Sequence, residues 1–140
     1  MLIYMRTIHL PKSTTIPLLK VQCGLFGIQD DFFEDYLSLD ERLVKNKHST
    51  FFFRASGNSM SPTIFDGDIL VVDRSLKAIN NHICIFNLEG EMICKRLKRN
   101  GNGVILVSDN DEHKSIIITD QMDFTLFGVV VAVARDLRGE

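Results

Sequence analysis

Two residues of this chain sit in settings suited to acyl-transfer chemistry. Ser59 lies in the run Ser56-Gly57-Asn58-Ser59-Met60-Ser61-Pro62-Thr63, just ahead of Asp66-Gly67-Asp68. Lys95 lies in Met92-Ile93-Cys94-Lys95-Arg96-Leu97, a segment that reads as a strand. A serine hydroxyl is a weak nucleophile until a base takes its proton. Lysine serves as that base only when its amine is neutral near pH 7, and burial produces this state because desolvation disfavours the ammonium form. Strand alternation places Lys95 on one face with Ile93 and Leu97, and sends Arg96 and Lys98 to an opposite, solvated face. The turn at Gly57-Asn58 exposes the serine and leaves backbone N–H groups beside it, the makings of an oxyanion hole. Cys23-Gly24 lies upstream in a stretch of weak pattern, where a scissile bond within the same chain could sit.

Each half also has a plainer reading. Gly-Asn-Ser-Met is an ordinary loop on composition alone, and a basic run from Lys95 to Arg99 commonly forms a solvated edge that discourages sheet aggregation. Rival chemistries are weaker still. His9, His48, His82 and His113 are scattered and lack metal-ligand spacing. Gly57-Asn58-Ser59-Met60-Ser61 is not G-x-S-x-G. Asp109-Asn110-Asp111-Glu112 resembles a calcium loop only superficially and reads as a solvated turn. No metal and no cofactor are expected.

The elements that must position these groups read as mainly β. Ser38-Leu39-Asp40-Glu41 has the form of a capping box and predicts a short helix to about Lys45. Runs rich in β-branched and aromatic residues follow at Thr50–Ala55, Asp68–Asp73, Ile83–Leu88, Glu91–Leu97, Val104–Val107, Ser115–Thr119 and Phe124–Val133. Glu89-Gly90 joins the third and fourth as a tight hairpin. Residues 1–36, broken by Pro11, Pro17, Gly24 and Gly27, read as an extended N-terminal arm. Residues 37–140 form a compact domain of strongly bent sheets with one short helix.

Composition narrows the function classes. A net charge of −2 argues against a chain-wide electrostatic grip on nucleic acid. The apolar run at Val129–Ala134 is too short to span a bilayer, and the N-terminus lacks the pattern of a signal peptide. Three cysteines, Cys23, Cys84 and Cys94, form no CxxC and cannot all pair, which fits free thiols in a reducing compartment. The expectation is a cytoplasmic protein with no membrane attachment.

Taken together, Ala55-Ser56-Gly57-Asn58-Ser59-Met60, Asp66-Gly67-Asp68 through Asp73, Glu91 through Leu97, and Phe127-Gly128-Val129-Val130 resemble the LexA/UmuD self-cleaving serine peptidases, in order and spacing, across roughly residues 17 to 137. The arm from Pro17-Leu18 through Cys23-Gly24, with no room before it for a helix-turn-helix, is most similar to the UmuD-like branch. The resemblance implies that Ser59 is the nucleophile, Lys95 the general base, and the backbone of Ser59 and Met60 the oxyanion hole. It implies that the protein cuts its own Cys23-Gly24 bond, stimulated by a RecA filament on single-stranded DNA. The shortened product would act as a homodimer with a UmuC-type polymerase in error-prone lesion bypass, without sequence-specific DNA binding of its own. Two departures stand out. Ser61-Pro62-Thr63-Ile64-Phe65 is shorter than usual, and Asn81-His82 replaces Gly-Asp, with Asn81 able to take the left-handed conformation a glycine would. A repressor-type or signal-peptidase-like processing enzyme, and a non-catalytic polymerase-binding module, are the alternatives.

Overall fold

The computed structural model describes residues 14–21, 23 and 33–139. The chain divides into two units, Met1–Arg42 and Leu43–Glu140. In the first, β1 (Ile16–Leu19) pairs antiparallel with β2 (Phe33–Leu37), Ile16 opposite Leu37 and Leu18 opposite Asp35. The sequence alone predicts an extended arm here, without strand pairing. Neither strand alternates apolar and polar residues cleanly, and Pro17 within β1 reads as a breaker, although a two-stranded ribbon has edges that tolerate proline. Helix α1 (Leu39–Leu43) starts where the capping box placed it: the Glu41 N–H donates to Ser38 Oγ at 3.4 Å, and the Arg42 N–H to the Ser38 carbonyl at 2.9 Å. The helix stops at Leu43, short of Lys45.

The second unit is a seven-stranded antiparallel sheet made of β3 (Thr50–Arg54), β4 (Ile69–Asp73), β5 (Ile83–Leu88), β6 (Glu91–Asn100), β7 (Gly103–Val107), β8 (Ile116–Ile117) and β9 (Phe124–Ala134). Its spatial order is β3-β4-β9-β5-β6-β7-β8. The chain is thus mainly β, with two antiparallel sheets and one short helix among the described residues. The β5–β6 hairpin turns at Glu89-Gly90, both with positive φ (51° and 84°), the backbone twist that matches right-handed strands. Asn81 takes φ 76°, so it does supply the left-handed turn.

Strand β9, the longest apolar segment, lies between β4 and β5. Its pairing slips by a residue against each neighbour, at Val71/Val72 and at Ile85/Phe86. Such bulges bend and twist a strand, and here they let one strand serve two curved halves of the sheet. Gly128, beside the second slip, is buried. A Cβ there would lie 2.8 Å from Val72 Cγ1 and 3.2 Å from the Asp73 carbonyl oxygen, so only glycine lets the backbones approach.

Both faces of the sheet carry core. Ala78, Cys84, Phe86, Leu97, Leu106 and Val129 form one buried cluster; Met60, Ile64, Leu70, Val72 and Ile85 form the other. Alternation along β5 explains the division, since Cys84 and Phe86 point one way and Ile85 the other. No helix among the described residues is long and apolar enough to cross a membrane.

Candidate active site

Ser59 leaves β3 by a short, tightly bonded path. The Ala55 N–H donates to the Asp68 carbonyl and the Gly67 N–H to the Ala55 carbonyl, both at 2.8 Å, prolonging the β3–β4 pairing. Gly57 then turns with φ 90°, its N–H donating to Asp66 Oδ1 at 2.8 Å. The Ser61 N–H donates to the Asn58 carbonyl at 3.1 Å, and the Thr63 and Ile64 N–H groups both donate to the Met60 carbonyl at 2.9 Å. Met60 and Ile64 are buried in the second core cluster, which anchors the turn while Ser59 stays half-buried at its crest. Among the described residues, the N–H groups of Ser59 and Met60 have no hydrogen-bond acceptor.

Lys95 comes from the middle of β6. The register places it opposite Cys84 on β5, and its strand face is shared with Ile93, packed against the first cluster, and Leu97, buried within it. The apolar setting expected from alternation is therefore present. Burial lowers the lysine pKa below its ordinary value of 10.5. Its Nζ donates to Ser108 Oγ at 2.8 Å. Ser59, Met60 and Lys95 line one cleft of about 250 Å³, whose walls include Phe53, Met92 and Cys94. The Cys94 thiol, although in the cleft, is pushed up to about 12, chiefly by burial, and stays protonated at neutral pH. The hydroxyl of Ser59 is then the candidate nucleophile of the cleft, and Lys95, whose pKa burial lowers, the candidate acceptor of its proton.

One expectation needs correction. Arg96 is not a solvated cation on the outer face: its Nε and Nη2 donate to Asp109 Oδ1 and Oδ2 at 2.8 and 2.7 Å, and its Nη1 to the Asn81 carbonyl at 2.7 Å. Its side chain is 27% exposed and that of Asp109 12%. The fork geometry of guanidinium and carboxylate accounts for this pairing. Lys98 does face outward, with its Nζ donating to Asn81 Oδ1.

The residues that sequence reasoning missed are Ser108, which carries no pattern of its own, and Asp109 and Asn110, which read as part of a solvated turn. Asp109 Oδ2 also accepts from Thr63 Oγ1 at 2.6 Å, and Arg96 holds the carboxyl below its ordinary pKa. The Asn110 N–H donates to the Ser59 carbonyl at 3.0 Å and its Nδ2 to the Asn58 carbonyl at 3.1 Å; His113 Nε2 lies 3.0 Å from Asn58 Oδ1. The signal in the sequence was a run of side chains that bond to loop backbones, Ser-Asp-Asn, directly after an apolar strand. No group of metal-ligating side chains forms among the described residues. Of the expected scissile pair, Cys23 is an exposed free thiol and Gly24 lies outside the described residues.

Residues 17–131 match the family described as Peptidase S24-like. The chain is 32% identical over 124 residues to the LexA repressor of Providencia rettgeri, spanning 86% of this chain and 60% of that protein. It is 32% identical over 128 residues to the LexA repressor of Sodalis glossinidius (strain morsitans), spanning 89% of this chain and 63% of that one. The chain thus covers somewhat less than two thirds of the length of these relatives. With the match extending over most of the sequence and both candidate site residues inside it, this chain belongs to the Peptidase S24-like family of serine peptidases, the family of the LexA and UmuD proteins.

Proposed function

We propose that this protein is a Ser–Lys peptidase that cuts its own N-terminal arm between Cys23 and Gly24. The observation that carries the reading is the placement of Ser59 and a half-buried Lys95, its pKa lowered by desolvation, on one cleft. In the reaction, neutral Lys95 takes the Ser59 proton as Oγ attacks the Cys23 carbonyl carbon. The N–H groups of Ser59 and Met60 face the developing oxyanion. The Lys95 ammonium then gives its proton to the Gly24 nitrogen as the peptide bond breaks. Water, deprotonated by Lys95, hydrolyses the Ser59 ester and frees the Cys23 carboxylate. A substrate in the same polypeptide has a high effective concentration, so a modest site suffices for a single turnover. Residues 1–36 are then the arm, of which the cut sheds residues 1–23, and residues 37–140 the peptidase domain.

The finer reading is a UmuD-like role in the cytoplasm. There, RecA on single-stranded DNA stimulates the cut, and the shortened homodimer serves a UmuC-type polymerase in the SOS response. Its support is the family together with the arm sequence. A second reading, a repressor inactivated by the same cut, is favoured by the LexA repressors that the chain matches.

Mass spectrometry of the purified protein over time at mildly alkaline pH tests the chemistry. The expected result is cleavage after Cys23 in the wild type and none in Ser59→Ala or Lys95→Ala. Identical behaviour of wild type and Ser59→Ala would end the peptidase reading. Co-purification of the cleaved form with a UmuC-type polymerase separates the first role from the second, which predicts operator binding by the uncut protein instead.

A further inference from the structure

The β6–β7 register pairs Leu97 with Leu106 and Arg96 with Val107. Continued by one residue past the end of β7, it brings Ser108 opposite Lys95. Lys95 is thus flanked by Cys84 on one side and Ser108 on the other, with Ile93 and Leu97 along its own strand. Three of these neighbours offer the amine no oxygen: Ile93 and Leu97 are hydrocarbon, and the Cys84 thiol lies 3.7 Å from the His82 carbonyl as its own donor. Ser108, 6% exposed, supplies a hydroxyl oxygen 2.8 Å from Nζ.

A neutral amine has two N–H bonds and one lone pair, and rotation about the last side-chain bond decides where the lone pair points. An N–H committed to a fixed acceptor removes most of that freedom. Two residues further on, the Asn110 N–H holds the Ser59 carbonyl at 3.0 Å, so one short segment touches both the base and the nucleophile's peptide.

We propose that Ser108 is a positioning residue for self-cleavage: its oxygen accepts an N–H of Lys95 and turns the amine lone pair into the cleft toward Ser59. This rests on the Ser59–Lys95 reading above. The role differs from setting the lysine pKa. A hydroxyl acceptor stabilises the ammonium more than the amine, so its loss by itself lowers the lysine pKa further and leaves more base at neutral pH. Loss of positioning instead lowers the rate even where the lysine is fully neutral.

The test is the full pH profile of self-cleavage for wild type, Ser108→Ala, Ser108→Thr and Ser59→Ala. Thermal midpoints confirm that each variant is folded. Ser108→Cys, close in size and a poor acceptor, replaces the alanine variant should that one not fold. Expected is a fall of about 10- to 100-fold in the high-pH plateau for Ser108→Ala, with recovery to within several-fold in Ser108→Thr. A Ser108→Ala profile equal to wild type overturns the proposal. So does a profile displaced along the pH axis with its plateau intact, or a folded Ser108→Thr as slow as alanine. In each of these cases an inert Ser59→Ala leaves the peptidase reading standing. A wild type that does not cleave overturns both.

Discussion

The N–H of Asn110 donates to the carbonyl oxygen of Ser59 across 3.0 Å, joining two loops that are far apart in sequence. Ser59 sits on the turn after β3 and Asn110 on the turn after β7. In the sheet β3 and β7 are separated by β4, β9, β5 and β6, so this bond closes across four strands, with Lys95 at the middle of β6, the neighbour of β7. The site is therefore a property of the sheet order, and its parts respond to changes in the loop that bridges them.

Asn110→Ala removes the bond from Nδ2 to the Asn58 carbonyl and the acceptor for the Glu112 N–H, while the backbone bond to Ser59 has no reason to break. The expected outcome is a stability loss of about 1 kcal/mol by urea titration. Cleavage by mass spectrometry should slow several-fold, well short of the loss in Ser59→Ala.

The Arg96–Asp109 pair carries a pH signature. Arg96 holds Asp109 below its ordinary pKa, so ionised Asp109 contributes stability above the unfolded carboxylate value and loses that contribution as pH falls through the lower folded value. Arg96→Met should cost about 1–2 kcal/mol at pH 7. The gap between wild type and variant should narrow as the pH is lowered from 5 toward 2. Urea midpoints across that range check it, and a gap that does not change with pH would refute the assignment.

The Lys95 pKa is lowered as well, but by burial, which disfavours its charged form. Its folded pKa lies below the unfolded value of 10.5, so the unfolded chain binds more protons and stability rises with pH between the two values. Against Lys95→Met, which lacks the titration, the wild type should gain stability between neutral pH and about 10.5. The cleavage rate should climb over the same direction of pH and level off once the amine is neutral. A rate that falls steadily from neutral to alkaline pH would contradict Lys95 as the base.

Gly128→Ala should destabilise by about 1–3 kcal/mol, because the new Cβ meets Val72 at 2.8 Å and the Asp73 backbone at 3.2 Å. Thermal unfolding measures it. A variant as stable as wild type would mean that β9 and β4 can separate there at no cost.

Most of the sheet was legible because the strands of the second unit advertise themselves with β-branched runs and turn residues. Glu89-Gly90 and Asn81 adopt the positive φ that their turns require. The apolar setting of Lys95 was legible through strand alternation. The parts that were not legible depend on what lies across a strand. Nothing local to Ser108 says that a lysine stands opposite, and nothing local to Asp109 says that Arg96 folds back onto it. The β1–β2 ribbon escaped for a related reason: its residues lack the alternation that a buried face imposes, as the exposure of Ile16, Phe33 and Tyr36 reflects.

Burial of Lys95 has a calorimetric consequence. At a pH between its folded and unfolded pKa values, the chain gives up part of a proton to the solvent as it folds. The apparent heat of folding must then vary with the ionisation enthalpy of the buffer, and Lys95→Met must remove that part of the variation, leaving the part due to the raised thiols of Cys84 and Cys94. The domain thus makes its base easier to discharge in the act of folding.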